Sequence, residues 1–322
     1  GMGVLVFVMA ILPMSDGHTM HILRAEMPGP TAGKLVSRMS DTAKILYGMY
    51  FVMTLVMIGL LLLGGMDLFD ASVHAFGAAG TGGFSSRNAS VGAYNSAYID
   101  VVTGIGMLAF GINFNLYFLV LVGRGRQALK SEELRTYLGV IAAATLLIVL
   151  NTRTAGVRLG DTVRHAFFQV SSIITTTGFA TCDFDLWPSL SKCVLVLLML
   201  IGACAGSTGG GIKISRVLIL IKRAGEELHK FIFPNSVTKI RLEKKILDRE
   251  VIHTTSAFLI VYVFIFAVST LLVSIEGHDL ETCFTAVAAT FNNIGPGLSI
   301  VGPTRNFGFF SDFTKYVLIF DM

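Results

Sequence analysis

Charged residues are scarce in this sequence of 322 residues. Asp, Glu, Lys and Arg make up 14% of it, whereas soluble domains carry about 25%. Hydrophobic residues make up 53%, and the mean hydropathy is +0.70. Several apolar runs exceed the roughly 20 residues that a helix needs to cross about 30 Å of hydrocarbon. The composition therefore excludes an ordinary soluble enzyme and predicts an all-α, multi-pass membrane protein.

The sequence also has few residues that would support metal or thiol chemistry. Its four cysteines have no CxxC spacing and mostly lie in or beside apolar runs, so they are predicted to be packing residues. Its seven histidines are scattered and form no HExxH pattern. The net charge of +4 is more typical of cytoplasmic loops in a membrane protein than of a nucleic-acid-binding surface. We expect no cofactor and no nucleic-acid partner.

Neither end of the sequence has the pattern of a complete span. Residues 1–14 are apolar but have neither the basic region nor the cleavage site of a signal peptide. Fourteen helical residues reach about 21 Å, which is short of a full crossing. Residues 316–322 stop equally abruptly. We expect the sequence to be truncated within a helix at both ends.

The distribution of basic residues predicts the topology. Full apolar spans are predicted near residues 42–65, 96–122, 134–150, 189–221 and 251–275. Most of the 25 Lys and Arg residues lie in the loops around 15–44, 123–135 and 212–250, whereas the acidic residues are evenly divided. The positive-inside rule places these three loops in the cytoplasm. The intervening segments must then dip into the membrane and return.

These intervening segments form an internal repeat. Each copy has an acidic residue, a short apolar stretch and a turn that contains glycine. The copies cover residues 70–84, 161–179 and 279–296, and apolar spans lie before and after each. The repeating unit is therefore a span, a half-helix, a loop and a second span.

Such a unit is suited to binding a cation. A half-helix of about ten residues cannot cross the bilayer, so its last carbonyls end at membrane depth. Asp70, Asp161 and Asp279 lie where N-caps belong, so the negative helix ends are predicted to point at the glycine turns. Glycine lets consecutive carbonyls approach and replace a hydration shell. One such turn would be more typical of a surface loop, but three copies favour an ion site.

A second glycine-rich stretch, residues 202–212, interrupts the predicted span 189–221. Each glycine disfavours helix by about 1 kcal/mol relative to alanine, so the run at 209–211 predicts a loop at membrane depth. One interpretation is a flexible plug below the ion site. The alternative is close packing of small residues between helices.

The same stretch partly matches two enzyme motifs. Gly206 and Gly211 have the outer spacing of a P-loop, but Ile212 stands where the lysine is required. Residues 205–209 resemble a nucleophile elbow without its first glycine. An intramembrane serine protease with a Ser207 and Lys213 dyad therefore remains an alternative. So does a secondary transporter of another small solute.

The motifs resemble those of the Trk/Ktr/HKT superfamily of potassium transporters, specifically its TrkH-type membrane subunits. The similarity covers nearly the whole sequence, and its most specific parts are residues 11–14, 24–30, 175–179, 206–213 and 292–297. It implies potassium uptake through tandem span, pore-helix, span repeats around a pseudo-fourfold pore. The transported ion would be K⁺, and the protein would not be an enzyme.

The resemblance also divides the chain. Residues 1–41 would hold the end of the first repeat's inner helix and a cytoplasmic loop. Residues 42–133 would form the second pore repeat, 134–250 the third with its interrupted gating helix, and 251–322 a truncated fourth. The first repeat's filter and the end of the last inner helix, with its basic residue, are expected to be missing.

Roles for individual residues follow from the resemblance. The implied filter residues are Thr81, Gly82, Gly83, Thr176, Thr177, Gly178, Asn293, Ile294 and Gly295. The implied gate residues are Gly206, Ser207, Thr208, Gly209, Gly210, Gly211 and Lys213. The implied partners are a second copy of the chain, a cytoplasmic nucleotide-binding regulatory subunit similar to TrkA, and the lipid bilayer of the cytoplasmic (inner) membrane.

Overall fold

The structure, a computed structural model, describes residues 39–153, 158–234, 236, 239–243 and 245–322. The motifs at 11–14 and 24–30 and the predicted end of a first-repeat helix lie outside these residues. The α-helices, in chain order, are α1 Met39–Leu63, α2 Leu68–Ala79, α3 Ala97–Phe110, α4 Phe114–Leu121, α5 Gly125–Ala128, α6 Glu132–Thr152, α7 Leu159–Ile174, α8 Ser189–Leu200, α9 Ile214–Ile232, α10 Arg249–Ser274, α11 Leu280–Phe291 and α12 Asp312–Asp321. Short 3-10 helices cover Ser90–Tyr94, Phe184–Leu186 and Ser299–Val301, and a hairpin pairs β1 Arg241–Leu242 with β2 Lys245–Ile246.

Several helices are long and apolar enough to cross a membrane. They are Lys44–Leu63 within α1, α6 and α10, and the pair α3 and α4 passes the same test as one bent span. On α10, Ile260, Phe264 and Leu271 are each about two-thirds exposed or more, as expected of side chains that contact lipid. The prediction of a helical, multi-pass membrane protein is confirmed.

Two of the predicted spans are interrupted. The stretch 96–122, predicted as one span, bends by 91° between α3 and α4. Gly111 ends α3, and the Asn113 side chain starts α4 by accepting the amide of Asn115 at 2.9 Å. The prediction of a continuous helix was wrong here because a glycine and a capping asparagine were hidden in an apolar run. The span 189–221 breaks between α8 and α9, as its glycines predict.

Three short helices lie between the longer ones. These half-helices, α2, α7 and α11, have 12, 16 and 12 residues, and at 1.5 Å per residue none spans 30 Å. The first packs between α1 and α3, the second against α3, α6 and α8, and the third against α10 and α12. Phe168 of α7 and the following Phe179 are buried in the core around α2 and α3. Neighbouring repeats therefore share a core.

The β1–β2 hairpin packs against α9. Ile240, Leu242 and Leu247 are buried together with Ile219 of α9. Lys222 of α9 forms an ion pair with Glu132 at the start of α6 and donates to the carbonyl of Arg241 at 2.7 Å. The hairpin is thereby fixed beside the first turn of α6.

Candidate functional site

The half-helices begin differently from the prediction. Asp279 is the N-cap of α11 and accepts the Thr282 amide at 2.9 Å, as predicted. Asp70 and Asp161 are not N-caps, because α2 begins after Asp67 and α7 begins after Arg158. Each is the third residue of its helix, where a carboxylate still complements the positive helix end.

Asp70 instead ties the chain that follows the first glycine turn back to the half-helix. Its carboxylate accepts from the Ser86 and Tyr94 hydroxyls, both at 2.6 Å, and from the Arg87 guanidinium at 2.9 Å. Hydrogen bonds, first from Ser86 and then from Tyr94, hold the pKa of Asp70 well below its usual range. The ring of His74, one turn after Asp70 in α2, lies 2.9 Å from the Ser85 hydroxyl. The half-helix and its turn thus form one unit.

The three turns after the half-helices, residues 81–83, 176–178 and 293–295, are called the glycine loops. Each begins with a non-glycine residue in the left-handed region: φ is 52° at Thr81, 55° at Thr176 and 55° at Asn293. Two residues later each has a glycine with positive φ, at Gly83, Gly178 and Gly295 with 62°, 86° and 105°. Because positive φ is uncommon outside glycine, its threefold recurrence shows that the loops share one backbone conformation.

Hydrogen bonding in the glycine loops repeats as well. The amides of the middle residues, Gly82, Thr177 and Ile294, donate to the carbonyl five residues earlier at 2.8, 2.9 and 2.7 Å. The amide of the following glycine approaches the same carbonyl at 3.3, 3.3 and 3.5 Å. These amides are therefore used on the half-helix side. The loop carbonyls remain as the groups available to a ligand.

The glycine loops fit into one another in a fixed direction. A Cβ placed on Gly83 would lie 1.9 Å from the Thr177 carbonyl oxygen, and one on Gly178 would lie 1.8 Å from that of Ile294. In each pair, the glycine of one loop lies against a carbonyl of the next loop. That carbonyl belongs to the residue just before the next loop's own glycine. Among the described residues, no atom lies within 4 Å of a Cβ built on Gly295. The described loops thus form a partial ring that is open at Gly295.

The segment between α8 and α9, residues 201–213, is called the connecting loop. Its two ends run side by side: the Gly202 amide donates to Ile212 at 2.7 Å, and the Ile214 amide donates to Ala203 at 3.2 Å. Gly206 and Gly211 have positive φ, 68° and 66°. The predicted break in the helix is therefore a folded loop with its own backbone pairing.

The connecting loop contacts the first two glycine loops and the residue before the third. The Thr81 hydroxyl donates to the Thr208 carbonyl at 3.0 Å, and the Gly210 amide donates to the Thr176 hydroxyl at 2.6 Å. A Cβ on Gly210 would lie 2.7 Å from the carbonyl oxygen of Asn292, the residue before the third glycine loop. The predicted filter and gate residues are thus brought together at one place.

Two elements that contact the connecting loop were missed by the sequence analysis. The first is the break between α3 and α4, where the Gly111 carbonyl accepts the Cys204 amide and the Phe114 amide donates to Gly206, both at 3.1 Å. The second is the buried Glu133, whose carboxylate accepts the Ala205 amide at 2.7 Å. The glycine and asparagine at 111 and 113 were a usable signal. An acid at a helix start is too common to be one.

Ser207 and Lys213 use their polar groups on the loop itself. The Ser207 hydroxyl donates to the Cys204 carbonyl at 2.6 Å, and the Lys213 ammonium donates to the Gly209 carbonyl. These bonds stabilise the folded connecting loop. Within the described residues, no group of three or more His, Cys, Asp and Glu side chains could hold a metal ion.

The family profile for TrkH, described as a cation transport protein, matches the whole sequence in two overlapping stretches, 1–157 and 137–322. The chain belongs to the TrkH family. The Trk system potassium uptake protein TrkH of Escherichia coli K12 is 37% identical over 328 residues, and that of Halomonas elongata is 31% identical over 325 residues. Both alignments cover 100% of this chain and 67% of the relative.

A solved TrkH structure has the same fold. The crystal structure of the potassium transporter TrkH from Vibrio parahaemolyticus matches with a TM-score of 0.85 and 33% identity, over 100% of this chain and 66% of that one. The chain therefore spans about two thirds of the length of these TrkH relatives. The resemblance inferred from the motifs is confirmed, and the chain is a membrane transport protein rather than an enzyme.

Proposed function

We propose that this protein takes up potassium ions across the cytoplasmic membrane through a pore lined by the three glycine loops. The observation that carries the proposal is the recurrence of one rare loop conformation at the ends of three half-helices, with neighbouring loops fitted together. The names of the TrkH relatives, which are potassium uptake proteins, support potassium as the ion.

The nine residues of the glycine loops would form the selectivity filter. The negative C-terminal end of each half-helix favours a cation at its loop, and the loop carbonyls replace the ion's hydration shell. A further loop of the same shape would fit against Gly295 and complete the ring, as the resemblance implies. The repeat boundaries at 42–133, 134–250 and 251–322 are proposed on the same basis.

The connecting loop would act as the gate. It contacts two glycine loops and Asn292, next to the third, so an ion leaving the filter on that side would meet it directly. Its successive glycines at 209–211 have no side chains to pack, so this segment can change its backbone conformation at a lower free-energy cost than a helix can. Opening would require breaking the contacts of Thr208 and Gly210 with the filter threonines.

The partners are proposed from the resemblance and the charge distribution. We infer a homodimer in the cytoplasmic (inner) membrane, with a nucleotide-binding regulatory subunit on the cytoplasmic side. The basic segment around 212–250, which includes α9 and the hairpin, is the predicted contact region on that side. A transporter of another small solute is the competing proposal. Helix C-termini directed at the site favour a cation over an anion.

The filter proposal is tested by replacing Gly178 with serine. The new Cβ would clash with the Ile294 carbonyl at a backbone φ of 86°, so the carbonyl field should be distorted and potassium should lose its preference over sodium. The measurement is uptake of Rb⁺ and of Na⁺ into proteoliposomes that contain the purified protein. We expect the ratio of the two rates to fall at least tenfold, which corresponds to about 1.4 kcal/mol of discrimination.

Gly139→Ser is the matched control. Among the described residues nothing lies within 4 Å of a Cβ at Gly139, which sits in α6, so this variant should keep the normal ratio. An unchanged ratio in a folded, membrane-inserted Gly178→Ser protein would refute the filter. Accumulation of an organic solute instead of Rb⁺ by the unaltered protein would favour the competing transporter.

A further inference from the structure

A buried carboxylate binds the chain on both sides of the predicted gate residues. The Glu133 side chain lies in the first turn of α6, and the residue is 7% exposed. Its Oε1 atom accepts the Ala205 amide at 2.7 Å and the Ser215 amide at 3.2 Å. These two amides flank the predicted gate residues 206–213 on either side. One oxygen atom therefore bonds to the chain both before and after these residues.

This contact differs from the other contacts of the loop. The remaining bonds of residues 201–213 to the glycine loops and to the break between α3 and α4 join neutral groups. The Glu133 oxygen instead accepts two backbone amides at once from a buried position. A loop that moved away would also leave the Glu133 carboxylate buried without these donors, which is unfavourable. Glu133 thus opposes displacement of the loop.

Glu133 is itself positioned by the cytoplasmic hairpin. The carboxylate of Glu243, at the turn between β1 and β2, accepts from the Ser131 hydroxyl at 2.7 Å and from the Glu133 amide at 3.3 Å. Ser131 is the N-cap of α6. A carboxylate of the hairpin therefore satisfies the first turn of the helix that carries Glu133. A continuous set of hydrogen bonds joins the hairpin, the start of α6 and the connecting loop.

We propose that Glu133 is a positioning residue that latches the connecting loop in its folded, blocking position, and that the hairpin holds this latch through Glu243. The inference rests on the proposed role of the loop as a gate. Glu133 does not contact the filter residues, so it acts on whether ions pass and not on which ions pass. Movement of the hairpin away from α6 would weaken the latch.

The test uses Cys204, a native reporter inside the connecting loop. Cys204 is fully buried and lies next to the amide that Glu133 binds. The full-length protein is reconstituted, treated with N-ethylmaleimide, and the modification of each cysteine is followed by mass spectrometry. Basal Rb⁺ uptake and the Rb⁺ to Na⁺ ratio are measured on the same samples. Modification reports loop displacement whether or not the loop is a gate.

Glu133→Ala should accelerate Cys204 modification by roughly tenfold to a hundredfold, as expected for losing two buried hydrogen bonds. Basal Rb⁺ uptake should rise while the Rb⁺ to Na⁺ ratio stays unchanged. Glu133→Gln keeps an acceptor oxygen but not the charge, so its rate should be intermediate. Glu243→Ala should change both readouts in the same direction by a smaller factor.

Glu227→Gln is the matched control, because this carboxylate is 62% exposed and its ion-pair partner, Lys230, lies in the same helix. It should leave the Cys204 rate unchanged. Cys283, fully buried in α11, should stay unreactive in every variant and so reports correct folding. If Glu133→Ala fails that folding control, Glu133→Gln decides the result.

Slow Cys204 modification in both folded Glu133 variants, equal to that of the unaltered protein, would overturn the latch. An unchanged rate in Glu243→Ala would overturn the role of the hairpin. Fast modification with unchanged Rb⁺ uptake would support the latch and contradict the gate, so the two proposals fail separately.

Discussion

Individual residues in the glycine loops are constrained in different ways. At Gly83 and Gly178 both the positive φ and the adjacent carbonyl exclude a side chain, whereas at Gly295 only the φ of 105° does so within the described residues. Thr81, Thr176 and Asn293 adopt φ near 50° despite having side chains. Such conformations cost about 1–3 kcal/mol and persist only where the surroundings enforce them. The half-helix carbonyls that bind the loop amides supply that enforcement.

Asp70 is predicted to fix the first glycine loop. Removing its carboxylate in Asp70→Ala would leave the Arg87 guanidinium and the Ser86 and Tyr94 hydroxyls without their shared acceptor. We expect a lower thermal midpoint of unfolding in detergent and a reduced Rb⁺ to Na⁺ uptake ratio. Both are measured on purified protein, the second after reconstitution.

Asp67→Ala serves as the comparison for Asp70→Ala. Asp67 caps the same half-helix through a longer bond of 3.4 Å, and losing an N-cap costs about 1 kcal/mol. Its thermal midpoint should fall less, and its uptake ratio should not change. Equal effects of the two substitutions would show that Asp70 acts only as a helix-end charge.

At the scale of elements, the sequence predicted the half-helices better than their first residues. Acid, apolar stretch and glycine recur three times, and this recurrence placed α2, α7 and α11 correctly. The N-caps of two were wrong because acids in the first turn are common at many positions, and only the hydrogen bond identifies the cap. Asp67 and Asp70 both fit the sequence pattern of an N-cap. Asp67 is the cap because its side chain accepts a backbone amide of the first turn.

The break between α3 and α4 leads to a prediction about Gly111. A Cβ at Gly111 would lie 2.4 Å from the Tyr137 hydroxyl oxygen and 2.9 Å from a Thr175 methyl group. Gly111→Ala should therefore destabilise the fold by about 1–3 kcal/mol, the usual range for overpacking. The measurement is the thermal midpoint in detergent.

Tyr137→Phe removes the clashing oxygen, which otherwise donates to Leu108 at 3.3 Å. The double variant should be more stable than Gly111→Ala alone, so the two substitutions should not be additive. Additive losses would mean that the close approach of the Tyr137 hydroxyl is not what requires glycine at this position.

At the scale of the whole molecule, the predicted topology puts the hairpin and the end of α9 in the cytoplasm. The chain after the glycine loops is predicted to lie on the opposite side of the membrane. Glu227→Cys, at an exposed position in α9, should react with a membrane-impermeant maleimide only in inside-out vesicles. Arg305→Cys, at an exposed position after the third glycine loop, should react only in right-side-out vesicles. Peptide mass spectrometry separates these sites from the native cysteines.

Labelling of both positions from one side of the membrane would contradict this topology. It would also contradict the half-helices as segments that enter and leave the membrane on one face.

The long-range arrangement could not be predicted from the sequence alone. Local propensity explains why the chain around Gly83 or Gly210 is not helical, because each such signal lies within a few residues. The meeting of Gly83 with Thr177, or of Thr176 with Gly210, depends on how separate repeats pack. Glu133 was overlooked for the same reason, since its partners lie about 70 and 80 residues further along the chain.

The directional fit of the glycine loops has a consequence for biosynthesis. Gly83 lies against the carbonyl of residue 177, and Gly178 lies against that of residue 294, so the first two loops are completed by parts of the chain that the ribosome makes later. A nascent chain that has inserted one half-helix and its glycine loop leaves the space beside the loop glycine empty until the next glycine loop docks. In the proposed filter, ion discrimination would then be acquired when the units dock and not when they insert. Slowing translation between units would prolong the interval in which these empty spaces are open to membrane quality-control proteases.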